Sequence, residues 1–418
     1  MSCRHPRIRG KEGKINARPP VCLSRHALGF FALLATLPAN AQDIAAPGAF
    51  GADMLPRGRA AARLEARGIR ASEEFGRDGE RRPLGSSYDG LNLNASLIPA
   101  LAPLGPGATL GTTDLSSRMS GQQTRLTIGY GLSEDVTVVF QVGYGEVENR
   151  VAVAVSGSNL GATGNPLAPF LPLALLPLGT PATGAEDVQA LLTGAYGYKR
   201  VQSSTWHSPL DPLIGLRWRF DKGEHHATVF APSLRFGVVR EADPDDLMQM
   251  VLADGTNDIL LGVLHTRTLS ERWDLLVSAQ YTIQFADHVT ARARAENELL
   301  VPASRRERLR RDRTDPIELT AEAGYSQGPW RFSGRLEYAR GGRDDFSSPS
   351  GQDVSGLEAN TDFHFLLGYL GVSWNGIPGY LRGEYSAPLL VSLVAATTLA
   401  AKNTSAPDTL YLTLTLPF

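Results

Sequence analysis

The chain has 418 residues, a formal net charge of −2 and 42% hydrophobic content, which excludes both a disordered polypeptide and a strongly basic nucleic-acid binder. Both cysteines, Cys3 and Cys22, lie ahead of an N-terminal apolar run, so the chain beyond that run has no thiol, disulfide or cysteine metal site, and no cofactor is implied.

That run, Ala27 to Leu37 (ALGFFALLATL), follows Arg and Lys residues and precedes Ala39-Asn40-Ala41, a small-x-small cleavage pattern. Residues 1–41 therefore read as a signal peptide cut after Ala41. No other stretch reaches the roughly 18 apolar residues that a spanning helix needs. Any membrane role must come through strands.

Residues 42–85 are polar and rich in Arg and Glu, with a helix-like piece from Gly58 to Phe75 (GRAAARLEARGIRASEEF). Few apolar positions predict a solvated periplasmic leader, and the alternative is a plug that folds back into a barrel. From residue 86 to 418 the pattern changes to alternation. Tyr88 to Ile98 places Leu91, Leu93, Ala95 and Leu97 on one side, and Gln123 to Leu132 does the same with Leu126, Ile128, Tyr130 and Leu132. After Ser133-Glu134-Asp135, Val136 to Val147 returns as the second arm of a tight hairpin.

Pro212 to Phe220 sets Ile214, Leu216, Trp218 and Phe220 against Gly215, Arg217 and Arg219. Ala227 to Val239 returns, with a bulge or kink expected at Pro232. Asn257 to Thr268 is apolar on both faces, whereas Trp273 to Phe285 alternates cleanly, with Gln280 and Gln284 on its polar side. Ile317 to Tyr325 opposes Glu318 and Glu322 to its apolar face, and Trp330 to Tyr338 opposes Arg331, Arg335 and Glu337. Phe363 to Ser373 and Leu381 to Leu390 are predicted to form a further hairpin, the latter carrying Arg382 and Glu384 inward.

The last segment, Asp408 to Phe418 (DTLYLTLTLPF), puts Leu410, Leu412, Leu414, Leu416 and Phe418 on one face and Thr409, Tyr411, Thr413 and Thr415 on the other. Soluble strands usually run about five or six residues, and this one has the roughly ten that cross a bilayer at a tilt. A terminal strand ending in Phe resembles bacterial outer-membrane β-barrels, whose assembly machinery would read Phe418.

These segments predict an all-β fold: a transmembrane antiparallel β-barrel of about twelve strands, twelve to fourteen at the limits, with short periplasmic turns and long extracellular loops. A soluble sandwich would bury the Arg and Glu faces, but a barrel turns them to a lumen. The lumen-lining set is Arg217, Arg219, Gln280, Gln284, Glu318, Glu322, Arg331, Arg335, Glu337, Arg382 and Glu384. Its mixed signs predict salt-bridge ladders in a narrow lumen rather than a substrate site. Phe220, Trp273, Tyr325, Trp330, Trp374 and Phe418 would form the periplasmic girdle, and Tyr144, Phe285, Tyr338 and Phe363 the outer one.

The insertion from Asn149 to Ser208 contains NPLAPFLPLALLPLGTP (Asn165 to Pro181), where Pro169, Pro172 and Pro177 break helical hydrogen bonding. Exposed Leu of this density reads either as a constriction packed on neighbouring loops or as a capture surface for hydrophobic solutes at Phe170, Leu171, Leu175 and Leu176. Ser304 to Arg313 (SRRERLRRDR) reads as a solvated loop or a contact for lipopolysaccharide phosphates. No His–Ser pair of lipid-hydrolase spacing and no third ligand beside His225-His226 is present, so neither an enzyme nor a metal site is expected.

The segments TRLTIGYGLSEDVTVVFQVGYG (Thr124 to Gly145) and DPLIGLRWRF (Asp211 to Phe220), with Ala231-Pro232 and Asp258-Ile259-Leu260, resemble the outer-membrane channel family of the MetA pathway of phenol degradation. That family is similar in kind to long-chain fatty acid and toluene transporters. The resemblance implies a Gram-negative outer-membrane location, surrounding lipid and lipopolysaccharide, and passive uptake of small hydrophobic or aromatic compounds. The alternative is a non-transporting structural or surface-interaction barrel with a closed lumen.

Overall fold

The computed structural model describes residues 54–159, 184–238, 241–249, 253, 255–296 and 298–418. The signal-peptide reading and the capture residues Phe170, Leu171, Leu175 and Leu176 lie outside them. Among the described residues, twelve long antiparallel strands close into a barrel. In chain order they are β1 (Ala60–Ala71), β2 (Thr109–Ser133), β3 (Val136–Ser156), β4 (Leu213–Lys222), β5 (His226–Arg235), β6 (Asp258–Thr268), β7 (Trp273–Gln284), β8 (Ile317–Gln327), β9 (Trp330–Gly341), β10 (Phe363–Asn375), β11 (Leu390–Lys402) and β12 (Asp408–Pro417). Each pairs with its neighbours in sequence, and β1 pairs with β12 to close the ring, from Ala61↔Pro417 to Arg70↔Asp408. The Phe418 amide donates to the Ala60 carbonyl at 2.8 Å and the Ala60 amide donates back at 2.9 Å. Every strand thus has two partners, which hydrocarbon demands of any backbone that crosses it.

Outward side chains are apolar and solvent-accessible in the isolated chain: Ile128, Phe140, Trp218, Val277, Leu319, Leu336 and Leu412 among them. In water such a continuous surface would be an aggregation hazard, and in a bilayer it is the lipid face. Phe220, Trp273, Trp330 and Phe418 stand at its periplasmic edge and Tyr281 and Phe285 at the other. β2 and β3 are longer, at 25 and 21 residues. Above Thr124 their outward positions turn polar (Asp114, Ser116, Arg118, Gln122), so this hairpin leaves the lipid and continues as a ribbon outside it.

Several sequence expectations are corrected. Ala60–Ala71 is neither leader nor plug but a strand of the wall. Tyr88–Ile98 is not a wall strand: Gly90 has φ +66°, and only Asn92–Asn94 makes a short pairing with β2 before the chain turns away. Leu381–Leu390 is a periplasmic connection containing a short helix (Ile377–Leu381), because Gly383 sits at φ +79° and Pro388 has no amide to donate; the strand is Leu390–Lys402. Arg382 and Glu384 accordingly lie outside the lumen, paired with each other at 2.6 Å on an exposed turn. Finally, Phe363 faces inward opposite Gly341 rather than joining the outer girdle. The β4–β5 irregularity falls at Arg219/Asp221, and Pro232 keeps register with Leu261.

The outer loops share a core of their own. Leu93, Ile98, Leu101 and Leu110 pack with Val188, Leu191 and Leu192 of helix α1 (Ala185–Gly194) and with Tyr198. The alternation that suggested a strand at 88–98 serves this cap instead. Arg292 is its strut: it is buried, its guanidinium lies 3.7 Å from the centre of the Tyr198 ring, and it donates to the carbonyls of Tyr196, Gly197 and Val301 and to Asp245. Beside it the Lys199 ammonium, 2.7 Å from Asp243, holds that carboxyl below the usual range. Arg292→Lys keeps the charge but cannot reach several carbonyls in different directions. It is expected to destabilise the cap by roughly 2 kcal/mol. Amide hydrogen exchange at Tyr196 to Tyr198 should accelerate while the barrel retains its heat-modifiable gel migration.

The Arg-rich segment is folded too. Arg306–Asp312 pairs with Asp287–Arg292, and its cations meet acids, Arg311 with Asp287 at 2.5 Å and Arg310 with Asp312 at 2.7 Å. These contacts favour a structural role over a lipopolysaccharide contact.

Candidate solute site in the barrel lumen

Alternation places every second residue of each strand inward, so charged residues two apart on one strand become neighbours in the lumen. Arg335 and Glu337 on β9 are such a pair and form an ion pair. The Tyr369 hydroxyl on β10 donates to Glu337 at 3.1 Å, and the Arg335 guanidinium lies 4.3 Å from the Tyr369 ring centre. Arg67 on β1 stands over Tyr411 of β12 at 5.2 Å. Arg331 bridges Glu322 at 2.8 Å and Asp274 at 3.1 Å, Arg63 meets Glu65 at 2.7 Å, and Arg235 is paired with Asp258. Gln280 donates to Glu318, and Gln284 donates to Thr256.

Exposure of Glu337 is 0% and of Arg335 5%, with Arg63, Arg67, Arg125 and Arg217 all below 10%. Side chains inside the wall therefore fill the lumen at this height, forming a charged belt rather than a water channel. Of the residues named from sequence, Arg217, Gln280, Gln284, Glu318, Glu322, Arg331, Arg335 and Glu337 face inward. Arg219 faces inward only at the periplasmic rim, where it binds Asp135 at 2.7 Å. Sequence reasoning missed Arg63, Glu65 and Arg67, which sit on the strand read as a leader. It also missed Arg125 and Tyr411, although the alternation of their strands placed them on the polar side, and Tyr369, which shares its face with Phe363, a residue read as outward.

Above the belt, on the extracellular side, is a cavity of about 320 Å³. Its walls are Ile69, Met119, Leu367 and the stacked pair Phe363 and Phe365, whose ring centres are 6.2 Å apart. Arg67, Glu337 and Thr398 form its floor, and Asn360, Thr361 and Asn403 to Ser405 its rim. Met119 and Trp206 pack against the buried pair Ile69 and Val147. A larger concavity of about 1590 Å³ lies outside the wall, where the outward residues Ala66, Gly68, Ala323, Gly334, Gly368 and Ala395 are small. It opens on the lipid-facing side of the wall, so the lumenal chamber is the candidate site. Its size falls at the lower end for small-molecule pockets.

No protein-family model and no curated relative matches the sequence. Solved structures do. The COG4313 outer membrane channel from Pseudomonas putida F1 aligns over 90% of this chain and 100% of its own, with a TM-score of 0.52 at 11% identity. The Ralstonia pickettii toluene transporter TbuX aligns over 87% and 90% with a TM-score of 0.35 at 12% identity. A Pseudomonas aeruginosa FadL homologue aligns over 92% and 99% with a TM-score of 0.35 at 10% identity. The first of these shares the fold, and the closed ring and lipid-facing surface described above identify the chain as a twelve-stranded transmembrane β-barrel of the outer-membrane type.

Proposed function

We propose that the protein is an outer-membrane channel for passive uptake of small hydrophobic or aromatic compounds. The observation that carries this reading is the apolar-walled chamber inside the lumen. Ile69, Met119, Phe363, Phe365 and Leu367 give a solute a face for dispersion contacts and escape from water, beside a polar lining that includes Arg67, Arg313, Glu337 and Asp344. First contact is assigned to Phe170, Leu171, Leu175 and Leu176, from which solutes pass to the chamber.

The buried belt favours a second reading, a closed barrel that transports nothing. Low ion conductance in planar bilayers follows from the belt under either reading, so uptake decides. Cells lacking the protein should take up radiolabelled toluene several-fold more slowly at micromolar concentration, and Leu175→Ser with Leu176→Ser should reproduce part of that defect. Equal uptake with and without the protein, across a panel of aromatics and fatty acids, would leave the closed barrel as the answer.

A further inference from the structure

The chamber is one-sided: greasy walls end on a polar floor, and a plain hydrocarbon has no use for that floor. Several polar groups of the lining are already engaged. Arg67 stands over the Tyr411 ring, Asp344 meets Arg313 at 3.7 Å and accepts from the Thr314 amide, and the Thr361 and Thr398 hydroxyls donate to the carbonyls of Glu358 and Pro407. Glu337 differs. The Arg335 guanidinium and the Tyr369 hydroxyl both donate to its Oε2. Its Oε1 belongs to a residue with 0% exposure and has no hydrogen-bond partner. Thr320, its register partner on β8, does not supply one, since the Thr320 hydroxyl is itself buried without a partner. A buried acceptor in that state costs free energy that a ligand bringing a donor recovers.

We propose that the chamber selects neutral amphiphiles that carry a hydrogen-bond donor, small alkyl-aromatic bodies bearing one primary alcohol. The apolar body lies against Ile69, Met119, Leu367 and the Phe363/Phe365 pair, and the hydroxyl donates to Glu337 Oε1. This assignment rests on the channel reading and narrows its substrate class. The charge of Glu337 already has its counter-ion in Arg335, so the open acceptor calls for a donor proton and not for a positive charge. An ammonium of the same shape would lose its hydration beside Arg67 and Arg335 with no unpaired anion to offset the loss, and a carboxylate would face Glu337 itself. Hydrogen bonds to an ionised acceptor are the strong ones, and one made out of contact with water favours the alcohol over a group of the same shape that cannot donate by about tenfold or more.

The test is isothermal titration of the purified barrel in a maltoside detergent, corrected for titration into empty micelles, with 4-ethylbenzyl alcohol, 4-ethylbenzaldehyde, 4-ethylbenzylammonium and 4-ethylbenzoate. The aldehyde keeps the heavy atoms of the alcohol and lacks its donor. The alcohol is expected to bind at least about tenfold tighter than the aldehyde, and tighter than either ion. Arg335→Met with Glu337→Leu, which removes the carboxylate together with its counter-ion, should bring alcohol and aldehyde to equal affinity, in protein that still shows heat-modifiable migration. Phe365→Ala should weaken both alike. The comparison of alcohol with aldehyde needs no variant, so it decides the assignment even if the double variant does not assemble. Equal affinity for the two, tighter binding of the ammonium, or a preference that survives loss of the carboxylate overturns the assignment and leaves the channel reading intact. Failure of every probe to bind also overturns the assignment, and the channel reading is then decided separately by the toluene uptake measurement.

Discussion

Deletion of residues 54–71 is expected to abolish the folded barrel. β1 is hydrogen-bonded along its length on both sides, to β12 from Ala61↔Pro417 to Arg70↔Asp408 and to β2 from Ala60↔Tyr130 to Ala71↔Met119. Without it, β2 and β12 each present a row of unpaired amides and carbonyls to hydrocarbon, where every unsatisfied group costs several kcal/mol. The deletion protein should be unable to acquire the compact, boiling-sensitive migration on gels that marks a closed barrel, and should instead be protease-sensitive. A leader or plug in the same position could be removed with the barrel intact. Recovery of a heat-modifiable band from the deleted chain would therefore restore the reading of residues 42–85 as a separate segment.

The second large effect is expected at Glu337. Its carboxylate is fully buried between Arg335 and Tyr369, and replacing it by Ala leaves the guanidinium in a low-dielectric lumen without that counter-charge. Breaking a buried pair on one side costs roughly 3–5 kcal/mol, whereas replacing both members by apolar groups of similar size is often neutral. Glu337→Ala should thus lower the urea midpoint of refolded protein sharply, and Arg335→Met with Glu337→Leu should recover most of the loss, giving a large coupling energy in the double-mutant cycle. The single variant should also show stepwise conductance that the parent protein lacks, because the belt that fills the lumen has lost a member. If the single and double variants are equally destabilised, Glu337 acts through packing rather than through its charge.

Most of the wall is legible in the sequence, because lipid outside and polar groups inside impose a two-residue period that few other folds sustain. β7, β8, β9 and β12 show it at full contrast, Leu and aromatics against Gln, Thr, Glu and Arg. β1 does not. Of its outward residues Ala62, Leu64, Ala66 and Gly68 only Leu64 is large, too little to raise a clear apolar face, and Ala, Leu, Arg and Glu are all strong helix formers. Tertiary closure overrides that propensity. β11 was hidden for the opposite reason: Val394 and Ala396 point inward, so both faces read as apolar, while the neighbouring Leu381 to Leu390 offered a better alternation that Gly383 and Pro388 cannot realise. The belt was half visible as inward charges. The chamber was not, since Ile69, Met119 and Phe363 come from three strands that only the closed ring brings together.

The pairing of Ala60 with Phe418 also bears on how the molecule is made. Its first wall strand finds its second neighbour only in β12, the pairing most distant in sequence among the described strands, and such contacts form slowly. Premature termination anywhere upstream leaves a sheet with two raw margins that no internal rearrangement can seal. Closure in this way rests on both margins of the sheet being present: a polypeptide lacking either β1 or β12 keeps two raw strand edges open to proteolysis or to pairing with another chain.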